Sequence, residues 1–361
     1  MLTVTPNLSV NLGQLLQKAV HLNDLQYDYF SKYLAAACRS QTGPEVVIFT
    51  KDSGNSLTAL STFGTEFEPL FVSWAPPAFG TILIVVSSDN SLTYYRNDQN
   101  CQGLWKVIYK TNQLNPVSSM AVGSTPISST VLSSTGMNSS VLNSVGVSST
   151  GGELVVALGS LTGSVTLVTS CTRFETTTFK AHTGPVYALA FSHSNTGELL
   201  MATGGIDNTI KLWEITNNNN GSVNSVNNSN GIAVGCVMIW KFELELDVKR
   251  LGRVNSLCWS REGLLAGATE SHLYIFQKTN EWTLLQKLTL GHNLTLGKNV
   301  NLTHNVSLGH NVSLGHNVSL GQVQMTFVAF NNDHIVLLQD SETVVFRRND
   351  AGTFEPLTNT H

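Results

Sequence analysis

His182-Thr-Gly-Pro-Val-Tyr-Ala-Leu-Ala-Phe191, followed by Leu199-Leu-Met-Ala-Thr-Gly-Gly-Ile-Asp207-Asn-Thr-Ile-Lys-Leu-Trp213, is the stretch that decides the fold. It contains β-rich runs around a Gly-Gly-Ile-Asp-Asn turn, the signature of a hairpin, because Gly, Asp and Asn accept the positive φ that tight turns demand. A histidine stands in the loop before the first run, a threonine in the middle run, an aspartate in the turn and a tryptophan at the end. Placed on adjacent strands, His182, Thr203, Asp207 and Trp213 can meet. A His beside an Asp and a hydroxyl has the makings of a charge relay, but it can equally be a buried hydrogen-bond network running from loop to turn to strand. The network is the preferred reading.

Outward from this unit, the composition points the same way. Of 361 residues only 12% are charged, about half the usual ~25%, while 42% are hydrophobic and the net charge is −4. Ser, Thr, Asn and Gly fill the gap, and they favour turns and strands over exposed helices. An acidic balance argues against a phosphate-binding surface as the main business. Five echoes of the unit end at Phe49, Tyr95, Val168, Phe276 and Phe346. Three of the intervals between ends are long, and each contains a low-complexity tract: 123–152, 217–231 or 292–321. With the tracts set aside, every spacing falls near the ~40–45 residues of a four-stranded repeat. The layout of a loop His, inner strand, middle strand, Asp turn and Trp-ended strand resembles a WD-repeat propeller blade. The expectation is an all-β chain, residues 1–361 forming a single six-bladed WD-repeat β-propeller with three loop insertions. Tyr29, Trp74, Phe191, Trp259 and Phe330 should end the inner strands and wedge between blades. The third unit is the weakest, with Ala121 and Val168 at its aromatic positions, and rests on Leu154–Gly159 pairing with Val165–Thr169.

The tracts at 123–152 and 217–231 read as disordered loops, which cost little because closure entropy grows slowly with length. The third is a hexad array, His304-Asn-Val-Ser-Leu-Gly309 repeated from His310 and His316. A small β-helix or a metal-binding histidine face are conceivable, but a slippage-expanded loop is the plainer reading. No cofactor and no metal site is expected. No run approaches the ~20 apolar residues of a bilayer span. Met1–Lys18 lacks the pattern of a signal peptide, and five scattered cysteines suggest reduced, buried thiols, so a cytoplasmic location is expected. Hydrolase, zinc-protease and dinucleotide motifs are missing, and Gly291–Lys298 has the wrong spacing for a phosphate loop. No enzymatic activity is expected.

Four further stretches carry a resemblance. Trp74-Ala-Pro-Pro-Ala-Phe-Gly-Thr-Ile-Leu83 resembles the W-A-x-P-x-F-G-x-x-L segment of the Sec-thirteen and Seh-one family of small propellers. Gly204-Gly-Ile-Asp-Asn-Thr-Ile-Lys-Leu-Trp213 is similar to the Sec-thirteen stretch G-G-x-D-N-x-V-K-I-W. Asp28-Tyr-Phe30 before Leu34-Ala-Ala-Ala-Cys38 is close to D-Y-Y-G-x-x-L-A-T-C, and Phe354-Glu-Pro356 matches a closing W-E-P. The chain departs from the pattern at Gln41-Thr-Gly-Pro44, where the Asp turn of the first unit is lost, and the third, fifth and sixth units lack Trp. The resemblance implies an open propeller whose ring a partner completes with a donated blade. That partner would be a Sec-thirty-one-like helical-solenoid protein of the COPII coat in ER-to-Golgi transport, a scaffold nucleoporin of the nuclear pore Y-complex, or both. The places implied are the cytosolic face of the endoplasmic reticulum and COPII vesicles, with the nuclear pore as a further one, and with no nucleic acid and no small-molecule substrate. A Seh-one-like pore subunit and a WD-repeat peptide-binding adaptor are the alternatives. A segment around Leu2–Val10 could pair with the last unit or with a partner.

Overall fold

The structure, a computed structural model, describes residues 19–51, 57–97, 104–112, 114–125, 152–170, 174–192, 199–218, 233–243, 253–290, 326–331, 333–339 and 342–357. These form six four-stranded antiparallel sheets, each built from four strands consecutive in sequence. The first holds β1 (Ala19–Tyr27), β2 (Tyr33–Ser40), β3 (Gly43–Lys51) and β4 (Leu57–Gly64). The second holds β5 (Pro69–Trp74), β6 (Ile82–Ser87), β7 (Leu92–Asn97) and β8 (Trp105–Thr111). The third holds β9 (Val117–Ser124), β10 (Leu154–Ser160), β11 (Ser164–Ser170) and β12 (Phe174–Lys180). The fourth holds β13 (Val186–Phe191), β14 (Leu199–Gly205), β15 (Thr209–Asn218) and β16 (Ala233–Glu243). The fifth holds β17 (Ser256–Trp259), β18 (Leu265–Ala268), β19 (His272–Lys278) and β20 (Trp282–Thr289). The sixth holds β21 (Thr326–Asn331), β22 (His334–Gln339), β23 (Glu342–Arg348) and β24 (Phe354–Pro356). The architecture is a WD-repeat β-propeller of six blades.

Period-two alternation sends successive side chains to opposite faces, and here both faces are apolar. In β2, Ala35 and Ala37 face the second sheet, where they meet Val72, Trp74, Leu83 and Val85. Leu34, Ala36 and Cys38 point the other way. The same division repeats along the chain. Sheets two and three share a core around Phe71, Tyr94 and Val156; three and four around Val155, Phe191 and Trp213; four and five around Leu212, Trp259 and Phe276; five and six around Ile275, Phe330 and Phe346. Each sheet therefore presents the end of its first strand and the end of its third to the sheet before it.

In the first sheet that face carries Leu34, Ala36, Cys38, Val47, Phe49 and Leu57, with Leu25 and Tyr27 against them. All are buried or half-buried, yet among the described residues this cluster contains no member from another sheet. It is the counterpart of one half of each other interblade core.

Two insertion boundaries differ from expectation. Gly123 and Ser124 belong to β9, the edge strand of its sheet, and pair with Val155 and Leu154 of β10. Asn217 and Asn218 likewise extend β15, opposite Val234 and Ala233. The third strand pair falls where expected, Leu154–Gly159 on Val165–Ser170. The hexad array and Leu2–Val10 lie outside the described residues.

Candidate functional site

His182, Thr203, Asp207 and Trp213 converge in the fourth sheet. Antiparallel pairing places Met201 opposite Trp213 and Thr203 opposite Lys211. With Thr203 two residues along from Met201 on the same face, its hydroxyl lies within reach of the indole. Asp207 sits in the β14–β15 turn beside Asn208, whose φ of 58° closes the hairpin. The His182 loop crosses over Gly205, where an added Cβ would lie 2.6 Å from the imidazole, so only glycine leaves room for the ring.

Elementary donor and acceptor rules fix the direction of every bond. Trp213 Nε1 can only donate, and does so to Thr203 Oγ1 at 2.9 Å. With the His182 proton held on Nδ1 by Asp207, Nε2 of the neutral ring accepts from the Thr203 hydroxyl at 2.7 Å. His182 Nδ1 donates that proton to Asp207 Oδ1 at 2.8 Å. Thr209 Oγ1 reaches the same carboxylate oxygen at 2.7 Å, and the Thr183 N–H reaches Oδ2 at 3.1 Å. Lys211 Nζ donates to the carbonyl of Ala181, tying the loop to β15.

The order hydroxyl–imidazole–carboxylate mimics an acyl-transfer triad, but its surroundings do not suit that chemistry. Thr203 is 0% exposed and His182 2%, so no substrate carbonyl can approach the hydroxyl. Burial holds the His182 imidazole below its ordinary pKa, although Asp207 pulls upward. Burial alone would raise the Asp207 carboxyl. Hydrogen bonds from Thr209, His182 and the Thr183 N–H outweigh it and hold that carboxyl below its usual value. A neutral, Nδ1-protonated histidine under an ionised aspartate is a clasp between loop, turn and strand.

The expected wedge residues fall as follows. Trp74 packs between sheets one and two, its Nε1 donating to the Gln26 carbonyl of β1 at 2.9 Å. Phe191 lies between sheets three and four, against the Cα of Gly123. Trp259 lies between four and five and donates to the Ala190 carbonyl at 3.1 Å. Phe330 packs between five and six, 6.1 Å from the ring of Phe354. Tyr29 is a correction: it stands 51% exposed in the turn after β1, not between blades. Asp28 ends the strand early by accepting the N–H groups of Lys32 and Tyr33 at 2.6 and 2.7 Å, so Tyr27 takes the packing position. Ala121 is corrected in the same sense. It faces the fourth sheet, while Val122 faces the second.

Other positioning residues left little trace in the sequence. Buried Asp24 accepts the N–H of Leu25 at 2.8 Å and, across the interface, that of Val72 at 2.9 Å. Ser118 and Ser119 both donate to the Val186 carbonyl, joining sheets three and four. A buried carboxylate or hydroxyl inside an apolar alternation was the available signal for each. Cys38 and Cys258 are free and buried. Burial and the nearby Glu45 push the Cys38 thiol up to about 11.

The family described as WD domain, G-beta repeat matches residues 173–214, from β12 of the third sheet through β13 and β14 into β15 of the fourth. No curated protein matches the chain. A solved structure titled "Crystal Structure of Mitotic Checkpoint Complex" contains a similar chain, with a TM-score of 0.53 and 12% identity. The similarity covers 94% of this chain and 79% of that one. At that identity the likeness bears on the fold.

Proposed function

We propose that this chain is a non-catalytic scaffold subunit of the Sec-thirteen kind, serving a membrane coat such as COPII in ER-to-Golgi transport or the nuclear pore scaffold, and completed by strands from a partner. The observation that carries this reading is that each of the six sheets is completed by four consecutive strands. No described strand from one chain end is incorporated in a sheet at the other. Strand addition by a partner would pair the backbone of a sheet edge left between the first and sixth sheets. The buried clasp at His182 fits a rigid structural role.

The test is cross-linking mass spectrometry on the chain purified gently from its own cells. Lys51, at the end of β3 beside Tyr27, should link into a β-segment of a helical-solenoid protein on coat or pore membranes. A chain that purifies alone, or whose partners link only to distant blades, overturns the proposal. The adaptor alternative has one feature in its favour: Arg253 lies 5.4 Å over the Tyr187 ring and 3.4 Å from Glu270, at the junction of blades four and five. It predicts partner links confined to that junction.

A further inference from the structure

The turn between β1 and β2 displays two large aromatic side chains to solvent. Phe30 is 70% exposed and Tyr29 51%, with ring centroids 5.0 Å apart in an edge-on arrangement. Phe30 is the most exposed of the large hydrophobic residues described. The turn that carries them is stiff. Asp28 Oδ1 receives the N–H groups of Lys32 and Tyr33, Asp28 N–H donates to the Tyr33 carbonyl at 2.9 Å, and Ser31 holds a φ of 54°. A flexible loop could fold such residues inward; this one holds them out.

A lysine flanks the knob on each side. Lys32 Nζ lies 4.9 Å over the Tyr33 ring, on the face toward the second sheet. Lys51 Nζ lies 5.2 Å over the Tyr27 ring, on the opposite face. The Lys51 N–H donates to the Lys32 carbonyl at 3.2 Å, which fixes the two backbone positions side by side. Among the described residues neither ammonium has a carboxylate partner, and the one acid in the turn, Asp28, is engaged by backbone N–H groups.

We propose that this knob is a docking site for a protein segment bearing an acidic residue beside an aliphatic or aromatic one. Its apolar side chain would pack on Phe30 and Tyr29 while its carboxylate meets Lys32 or Lys51. Aromatic residues held rigid on a surface lose little entropy on binding, which makes them frequent binding hot spots. A bilayer suits the knob less well. Each basic residue contributes only about 1 kcal/mol at an anionic surface, and two lysines on a chain of net charge −4 make a weak anchor. The Tyr29–Phe30 knob stands in a turn and needs no missing strand, although Lys51 also borders the face proposed for ring completion.

The experiment selects linear peptides from a displayed random library on the full chain, then measures Kd for the synthesised winners. Peptides should be enriched in Asp or Glu near Leu, Ile or Phe. F30S should weaken them about tenfold or more, as should the double charge reversal K32E/K51E. Peptides with Lys in place of the acid should regain binding to the reversed protein. Both variants alter exposed groups, and unchanged melting temperatures would show them folded. Selected peptides without acids, or affinities indifferent to F30S, overturn the proposal. So does Phe30-dependent co-sedimentation with vesicles containing 30% phosphatidylserine in the absence of selected peptides, since that would assign the knob to a bilayer. Loss of the Lys51 cross-links expected for ring completion, with acidic-peptide binding intact, would defeat the scaffold reading alone.

Discussion

Replacing Asp207 by alanine removes an acceptor on which three donors converge, and two of these lie inside the blade. His182 Nδ1–H at 2.8 Å and Thr209 O–H at 2.7 Å would lose their partner, while the Thr183 N–H can turn to water. A buried donor left unmade costs about 1–3 kcal/mol. Thr209 Oγ1 already lies 3.2 Å from His182 Nδ1 and can accept from it in part, so the total for D207A should stay near 1–3 kcal/mol. A specific unfolding entropy of ~2.1 cal/mol/K per residue gives about 0.5 kcal/mol/K for the described residues, hence a fall in Tm of roughly 2–6 °C. D207N keeps an acceptor oxygen in place and should fall less. Calorimetry on the parent and both variants decides the matter. A D207A melting curve superimposable on the parent, or D207N melting below D207A, would refute the clasp.

The same clasp predicts a direction for pH. His182 is held below its ordinary pKa, so between the folded value and ~6.5 the unfolded chain binds more protons and stability falls as the pH drops. Melting temperature should therefore decline from pH 7.5 to 5.5, and H182Q should flatten that decline. Tyr27 and Tyr29 separate sharply: Y27A should cost about 2–4 kcal/mol in urea denaturation by leaving a cavity beside Phe49, and Y29A less than about 0.5. Cys38, buried with its thiol raised to about 11, should resist alkylation at pH 8 in the native chain and react fully in urea, as peptide mapping of the adduct would show.

Much of the architecture was legible because two periods coincide: alternation within strands and the spacing of the aromatic ends. The fourth unit shows both at full strength, and its four clasp residues could be named from their places along the chain. Thr209 and Gly205 were harder to see. One is a common strand residue, and the other matters only because an imidazole lies over it. The error at Tyr29 has a local cause. Tyr27, Tyr29 and Phe30 are all plausible strand residues, and the choice falls to one carboxylate, Asp28, which captures two backbone N–H groups and stops the strand two residues sooner. Cross-sheet bonds such as Asp24 to Val72 link residues 48 apart, a separation on which strand periodicity carries no information.

Because every sheet is completed by its own four successive strands, each blade can fold as soon as it emerges from the ribosome, without waiting for the end of the chain. Stability then accumulates between neighbours, as in a linear array, and damage to one blade is felt most by the two beside it. Such an arrangement behaves as a row of separately completed plates, each of which can stay whole while its neighbours shift against it.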